Sequence, residues 1–395
     1  MFIQLPDAVL HAIQMLNAAG FEAYAVGGCV RDSLMEKTPG DWDVTTSATP
    51  SEMQTVFEAY RTIETGLQHG TLTVLVDDVS LEITTYRVDG EYSDGRHPDA
   101  VCFTRSLAED LCRRDFTINA MAYHPTVGVV DLYGGQADLS AGLIRCVGNP
   151  EIRFREDALR ILRALRFSAV LGFEIEENTA AALDALSPTL TCVSVERIAA
   201  EFKKLLCGIN AVGVLDTFQH TVSVFLPEMD SCHDFSLLDT MKPTPRARLA
   251  ALFYGAHIHS REAQEILRRL RLDNTTIRDV ALLLSKPLMP IADADASCLR
   301  LLHMLGVELV YEYLSLRRAD DNILRRVDSL LRNGACYQVS MLAISGEEVI
   351  AAGINPGPDV GRILQTMLEA VMDGVCPNQK DDLLRYIAKV KKPVQ

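Results

Sequence analysis

The chain has 395 residues, 48% of them hydrophobic, ten cysteines and a formal net charge of −15. That length predicts more than one domain with ample core for each. With no charged-then-apolar leader, no apolar run able to span a bilayer and no C-x-x-C pair, the composition argues against a membrane protein, a zinc ribbon and a disulfide framework, and leads us to expect reduced thiols in a cytoplasmic protein.

In chain order, residues 6–19 read as an amphipathic helix stopped by Gly20. The run FEAYAV then reads as a strand leading into VGGCVRD at residues 26–32. Gly27 and Gly28 carry no Cβ, so the backbone there can turn sharply and bring its N–H groups near a ligand. A short helix follows, closed by Thr38-Pro39-Gly40, and Asp41-Trp42-Asp43 starts a strand. Alternation along a strand puts Asp41 and Asp43 on one face and Trp42 on the other. Paired carboxylates repel unless a cation sits between them, and hard oxygen ligands beside a glycine turn suit Mg²⁺ carrying a triphosphate. Either half alone would be a plain glycine turn or a solvated strand end. Together they resemble the signature of the DNA polymerase beta-type nucleotidyltransferases.

Thr49-Pro50-Ser51-Glu52 predicts an N-cap with proline at the first helical position. TLTVLV and SLEITTYRV, residues 71–76 and 80–88, predict a hairpin. In its second strand Leu81 and Ile83 alternate with Glu82 and Thr84, so Glu82 faces away from the apolar side. It becomes a third carboxylate at the metal if that strand neighbours Asp41 and Asp43. Residues 89–98, DGEYSDGRHP, read as a flexible loop. In LCRRDFTINAMAY, Arg113 and Arg114 can reach triphosphate oxygens, and Asp115 or Asn119 can meet ribose hydroxyls, although Asp115 is also well placed to cap a helix.

From about residue 151 helix follows helix, with apolar spacing at three and four through 156–171, 195–207, 246–272, 298–318, 322–332, 345–352 and 358–373. Within the first of these, Asp157 and Arg160 lie three apart and are expected on one helix face, either as a simple ion pair or as a base reader. A carboxylate accepts and a guanidinium donates, matching the amine donor and ring-nitrogen acceptor that cytosine and adenine share. Uracil and guanine reverse that pattern and would leave both groups unpaired, which is how strong rejection arises. Arg163 and Arg166 continue the row. Although residues 1–150 hold 21 acidic against 9 basic side chains, residues 242–286 hold nine basic against four acidic, either a solvated surface or a face for a phosphate backbone. His233-Asp234, His257 and His259 make no coherent ligand set; the latter two are expected on a helix, facing different ways.

The succession VGGCVRD, GDWDV, EITTYR, RRDFTINA, DLYGG, REDALRILRALRF and SVERIAAEFKKLL resembles the class II tRNA nucleotidyltransferases, the bacterial CCA-adding enzymes and their poly(A) polymerase relatives. The likeness is specific across residues 20–210, and ISGEEVIAAGINPGPDVGRIL resembles the C-terminal part of members of Gram-positive type. The resemblance implies an α+β polymerase-beta-type head with a mixed sheet at 1–145, followed by an elongated all-helical neck at 146–210, body at 211–320 and tail at 321–395. It implies Asp41 and Asp43 at Mg²⁺ with Glu82 as a third catalytic carboxylate, and Gly28, Arg31 and Arg114 on the triphosphate and sugar. Asp157 and Arg160 would read the base with Arg163 and Arg166 in the pocket, while Glu196, Arg197 and Glu201 brace the neck. The implied activity is addition of C, C and A to the tRNA 3′ end from CTP and ATP. A poly(A) polymerase or a single-specificity relative is the alternative; a small-molecule nucleotidyltransferase and a non-catalytic RNA-binding module stand further off. The expected partners are the tRNA acceptor stem and the two nucleotides, with no membrane and a homo-oligomer left open.

Overall fold

The computed structural model describes residues 2–77, 79–89, 101–230, 232, 234–286 and 291–390. The chain divides into two compact units, Met1–Ser231 and Cys232–Gln395.

The first unit opens with helix α1 (Asp7–Ala18), strand β1 (Ala23–Val26), helix α2 (Gly28–Leu34), strand β2 (Asp43–Thr46) and helix α3 (Pro50–Val56). Strands β3 (Arg61–Ile63), β4 (Thr71–Val76) and β5 (Val79–Thr85) follow, then the separate pair β6 (Arg87–Asp89) and β7 (Val101–Phe103). Helix α4 (Leu107–Cys112), β8 (Met121–His124), β9 (Gly128–Asp131) and helix α5 (Gly135–Ala141) complete the head. Seven strands form one mixed sheet in the order β3-β4-β5-β2-β1-β8-β9. Its β2–β5 pair is parallel, while the β1–β2 and β4–β5 pairs are antiparallel.

Alternation decides the faces. Val44 on β2, Leu72, Val74 and Val76 on β4, and Leu81 and Ile83 on β5 all enter one core with Val9, Ile13 and Leu16 of α1 and Met53 and Phe57 near α3. Each such fully buried side chain contributes roughly 1.5–3 kcal/mol. The alternate residues of β2 and β5 therefore point to the opposite face, where Leu111 packs with Val26 and Ala122. Helix α3 carries the full capping box expected of Thr49 and Glu52, with Pro50 at its first position.

The rest of this unit is helical apart from the short parallel pair β10 (Leu143–Ile144) and β11 (Glu174–Ile175). Its helices are α6 (Pro150–Glu156), α7 (Leu159–Leu171), α8 (Glu177–Leu186), α9 (Val195–Leu206) and α10 (Ala211–Ser223). The second unit contains α11 (Leu237–Thr240), α12 (Pro245–Gly255), α13 (Ser260–Arg269), α14 (Asn274–Leu284), α15 (Asp295–Leu316), α16 (Asp321–Arg332), α17 (Gly346–Ala351), α18 (Pro358–Met372) and α19 (Lys380–Val390). Ser345 and Glu348 form the expected capping box on α17.

The helix expected across 246–272 is two helices, because the chain turns back after α12 and His257 adopts a left-handed φ of 57°. His257 thus lies in the turn and His259 at the N-cap of α13, rather than both on a helix. All ten cysteines are free thiols. Among the described residues no helix is long and apolar enough to cross a membrane.

Candidate active site

Two neighbouring strand ends bring the acidic side chains together. Strand β2 begins at Asp43, and its parallel register with β5 sets Asp43 directly against Glu82. Strands in a sheet lie about 4.8 Å apart, so the two side chains stand next to each other on the face away from the α1–α3 core. Asp41 precedes the strand and is exposed like Asp43, whereas Trp42 packs on the core. Although the Asp43 side chain reaches solvent, the protein packed around it strips water from the carboxyl and pushes it above the ordinary range; Arg114 draws it down, and Glu82 and Asp41 push it up again. Asp43 thus feels two further carboxylates, with one guanidinium partly compensating.

Among the described residues no group of three or more His, Cys, Asp or Glu forms a self-sufficient metal cage. A divalent ion such as Mg²⁺ ordinarily takes one or two carboxylates and draws its other ligands from water and phosphate. The Asp41–Asp43 pair fits that pattern, and the mutual repulsion felt at Asp43 is what a cation would relieve.

The glycine turn lies beside two arginines. Gly27 has a φ of 82°, open to glycine at little cost, and a Cβ there would come 3.0 Å from Arg114 Nη1. A Cβ on Gly28 would lie 3.7 Å from Arg31 Nη2. Arg31 is buried and donates to Asn119 Oδ1 at 2.7 Å and to Asp32 Oδ1 at 2.9 Å.

A residue that sequence reasoning passed over orders this corner. Asp110 is fully buried and accepts from Arg113 at 2.9 and 3.0 Å, from Arg114 at 3.3 Å and from Thr45 at 3.2 Å. Burial works to raise its carboxyl, but Arg114 and Arg113 together bring it below the usual range. Asp110 is therefore a positioning residue, tying both arginines to strand β2. Its spacing of three and four from Arg113 and Arg114 was the available signal.

The expected single helix through Asp157 is broken. Helix α6 ends at Glu156, Asp157 is extended with φ −145° and ψ 105°, and α7 starts at Leu159. The Asp157 carboxylate accepts from the Leu159 N–H at 3.0 Å, so it caps α7 rather than riding on it. Nor do Asp157 and Arg160 pair with each other. Arg197 holds Asp157 with contacts of 2.6 and 3.3 Å, while Arg160 donates to Glu156 and to the carbonyls of Arg153 and Arg113.

Asp115 does not cap a helix either. It is buried and receives Arg163 Nε at 2.8 Å and Asn119 Nδ2 at 3.2 Å. Burial opposes its ionisation, yet Arg163 overcomes that and brings the carboxyl to about 2. A continuous polar relay thus runs from Arg163 on α7 through Asp115 and Asn119 to Arg31 beside the glycine turn. Arg166 lies 3.8 Å from the centroid of the Phe167 ring and 2.5 Å from Glu201, a contact that is ionic rather than an aligned hydrogen bond. Arg31 and Arg163 approach the same ring at 5.2 and 5.4 Å, so Phe167 gathers three guanidiniums.

Of the basic residues in 242–286, Arg246 turns to Glu312 and Asp279 and Arg248 is buried. Arg261, Arg268, Arg269, Arg271 and Arg278 remain exposed. Arg96 and the loop after Asp89, and likewise His233, lie outside the described residues.

Residues 23–145 match the family model described as the poly A polymerase head domain, and residues 244–387 match that of tRNA nucleotidyltransferase domain 2. The chain is 39% identical over 393 residues to a CCA-adding enzyme of Leuconostoc mesenteroides, with 97% of both proteins covered. It is 37% identical to one of Enterococcus faecalis, covering 95% of this chain and 94% of the relative. Its fold is similar to the crystal structure of the Bacillus stearothermophilus CCA-adding enzyme in complex with CTP, with a TM-score of 0.83, 31% identity and 98% of each chain covered.

Proposed function

This chain belongs to the family of CCA-adding enzymes, and from that premise we propose how its own residues carry the reaction. It is a nucleotidyltransferase that adds C, C and A to the 3′ end of tRNA from CTP and ATP, without a nucleic-acid template. The observation that carries the assignment of roles is the β2–β5 register, which stands Asp43 against Glu82 on the face where Arg114 lies.

In each cycle the terminal ribose 3′ oxygen attacks the α-phosphorus of the bound nucleotide. The new P–O bond forms as the bond to the bridging oxygen breaks, and pyrophosphate leaves with that electron pair. The hydroxyl proton passes to a neighbouring carboxylate, which we assign to Glu82. Asp41 and Asp43 would hold a divalent metal, Mg²⁺ in our reading, which when bound neutralises triphosphate charge and acidifies the attacking hydroxyl. Gly28, Arg31 and Arg114 take the triphosphate and sugar; Asp110 and the Asp115–Asn119 relay keep those two arginines in place.

Asp157 and Arg160 read the base, with Arg163 and Arg166 walling the pocket. Asp157 Oδ1 already accepts from Leu159 and Arg197, and Oδ2 from Arg197 alone. One lone-pair direction on Oδ2 is thus left for the exocyclic amine that cytosine and adenine share. Uracil or guanine would set a carbonyl against that oxygen. Arg197 and Glu201 act by bracing Asp157 and Arg166 and make no substrate contact. We assign catalysis to residues 1–145, base reading to 146–210 and tRNA binding to 211–320 and 321–395, in a cytoplasmic enzyme.

The test uses tRNA lacking its 3′ end, Mg²⁺, and CTP and ATP singly or together, with the product ends sequenced. CTP alone should give CC and both nucleotides CCA. Processive extension of unrelated RNA by ATP alone would instead make the protein a poly(A) polymerase, and products stopping at CC or gaining only A would make it a single-specificity relative.

A further inference from the structure

The second unit contains a basic cavity whose residues have been given no individual role above. It has a volume of 340 Å³ and is lined by Tyr254, His257, His259, Leu284, Lys286 and Arg317, together with Ile258. A neighbouring cavity of 330 Å³ shares Tyr254, His257 and Arg317 and adds Arg318 and Asp234. Either volume falls within the roughly 300–1,000 Å³ of small-molecule sites.

The fold explains the shape. Tyr254, 38% exposed, closes the last turn of α12, and the left-handed turn at His257 carries the chain away from it. Arg317 follows α15, its guanidinium 3.4 Å from the Tyr313 ring centroid and 5.6 Å from that of Tyr254. It donates to the carbonyls of Leu283, Tyr313 and Ser285, which fix its position. None of those acceptors is a carboxylate, so its charge is oriented without being neutralised. The side chains of His257, His259 and Lys286 make no hydrogen bond or ion pair with any described residue. Among the described residues the 340 Å³ cavity has no acidic lining residue, the nearest carboxylate in these linings being Asp234 of the neighbouring cavity. On a chain of net charge −15, a basic pocket free of acids selects an anion, and a half-exposed tyrosine above an arginine offers a flat stacking platform.

We propose that this cavity binds one nucleoside phosphate unit, its base against Tyr254 and Leu284 and its phosphate among Lys286, Arg317 and the two histidines. The unit comes either from an unpaired nucleotide of the tRNA or from free nucleotide. Only the tRNA arm rests on the function proposed above; the free-nucleotide arm does not.

The test follows acylation of Lys286 by mass spectrometry on the full chain, alone, with saturating tRNA lacking its 3′ end, and with AMP. It also measures both affinities for Tyr254→Leu, whose melting curve shows whether it is folded. Protection of Lys286 by tRNA, with tRNA binding about fivefold or more weaker in the variant, identifies an RNA nucleotide. Protection by AMP alone, lost in the variant, identifies free nucleotide. Unchanged Lys286 reactivity with both ligands, or a variant that binds the protecting ligand like the wild type, overturns the proposal. Incorporation at saturating tRNA stays normal in Tyr254→Leu, so failure here and failure of the catalytic assignment read out separately.

Discussion

Replacing Asp110 with Asn keeps the volume and one acceptor oxygen but removes a charge at a site with no solvent exposure. Arg113 and Arg114, themselves only 17% and 19% exposed, then lose their shared counter-ion. Breaking a buried pair by removing one partner costs about 3–5 kcal/mol; with Asn still accepting one bond, about 3 kcal/mol is expected here. The catalytic consequence follows from where Arg114 sits, beside the Gly27 turn and acting on Asp43. Loss of its anchor should raise KM for CTP and ATP alike, by about tenfold if one charge-assisted contact of roughly 1.5 kcal/mol is lost. The triphosphate is common to both nucleotides, so base choice and tRNA affinity should not change. Steady-state incorporation with each nucleotide, alongside urea unfolding, measures both effects. Unchanged KM in a folded variant would show that Asp110 supports only the fold. A selective effect on one nucleotide would show that Arg114 senses the base.

Asp41→Ala should lower incorporation at least about a hundredfold while tRNA affinity, measured by filter binding, stays as in the wild type; retained turnover would remove the metal assignment. Asp157→Ala should narrow the CTP-over-UTP incorporation ratio by about a hundredfold or more, and unchanged discrimination would mean the base is read elsewhere. Asp115 has a folded-state value of about 2 against 3.8 for a free carboxyl. Its stabilisation is complete above about pH 4 and is lost as pH falls to about 2, amounting to about 2 kcal/mol. Urea unfolding across that range should therefore fall less steeply with acid for Asp115→Asn than for wild type; parallel curves would refute the ion-pair account.

Much of this was legible in the residues because its causes are local. The capping boxes at Thr49 and Ser345 depend on side chains three positions apart. The placing of Glu82 away from the core follows from strict alternation with Leu81 and Ile83. Partnerships across the fold were harder to read. Asp157 looked like a helix residue by apolar spacing, yet its preference for capping an N-terminus won, and the signal was present in the Asp-Ala-Leu run that follows Glu156. Arg246 and Arg248 counted toward a basic face, but the first is drawn to Glu312 and Asp279 and the second is buried. The choice made by Arg246 depends on carboxylates tens of residues away, which no window along the chain contains.

The parallel pairing of β2 with β5 also sets a rule for tolerated change. Every second residue of each strand faces the side that carries Asp43 and Glu82, so adding or deleting one residue inside Val79–Thr85 would swing Ile83 or Leu81 into the place of Glu82. Changes of length between Thr46 and Arg61, or in the turn at Asp77, leave that phase intact. Sequence drift in this part of the chain should therefore collect as insertions in connecting segments, with the two strands themselves fixed in length to the residue.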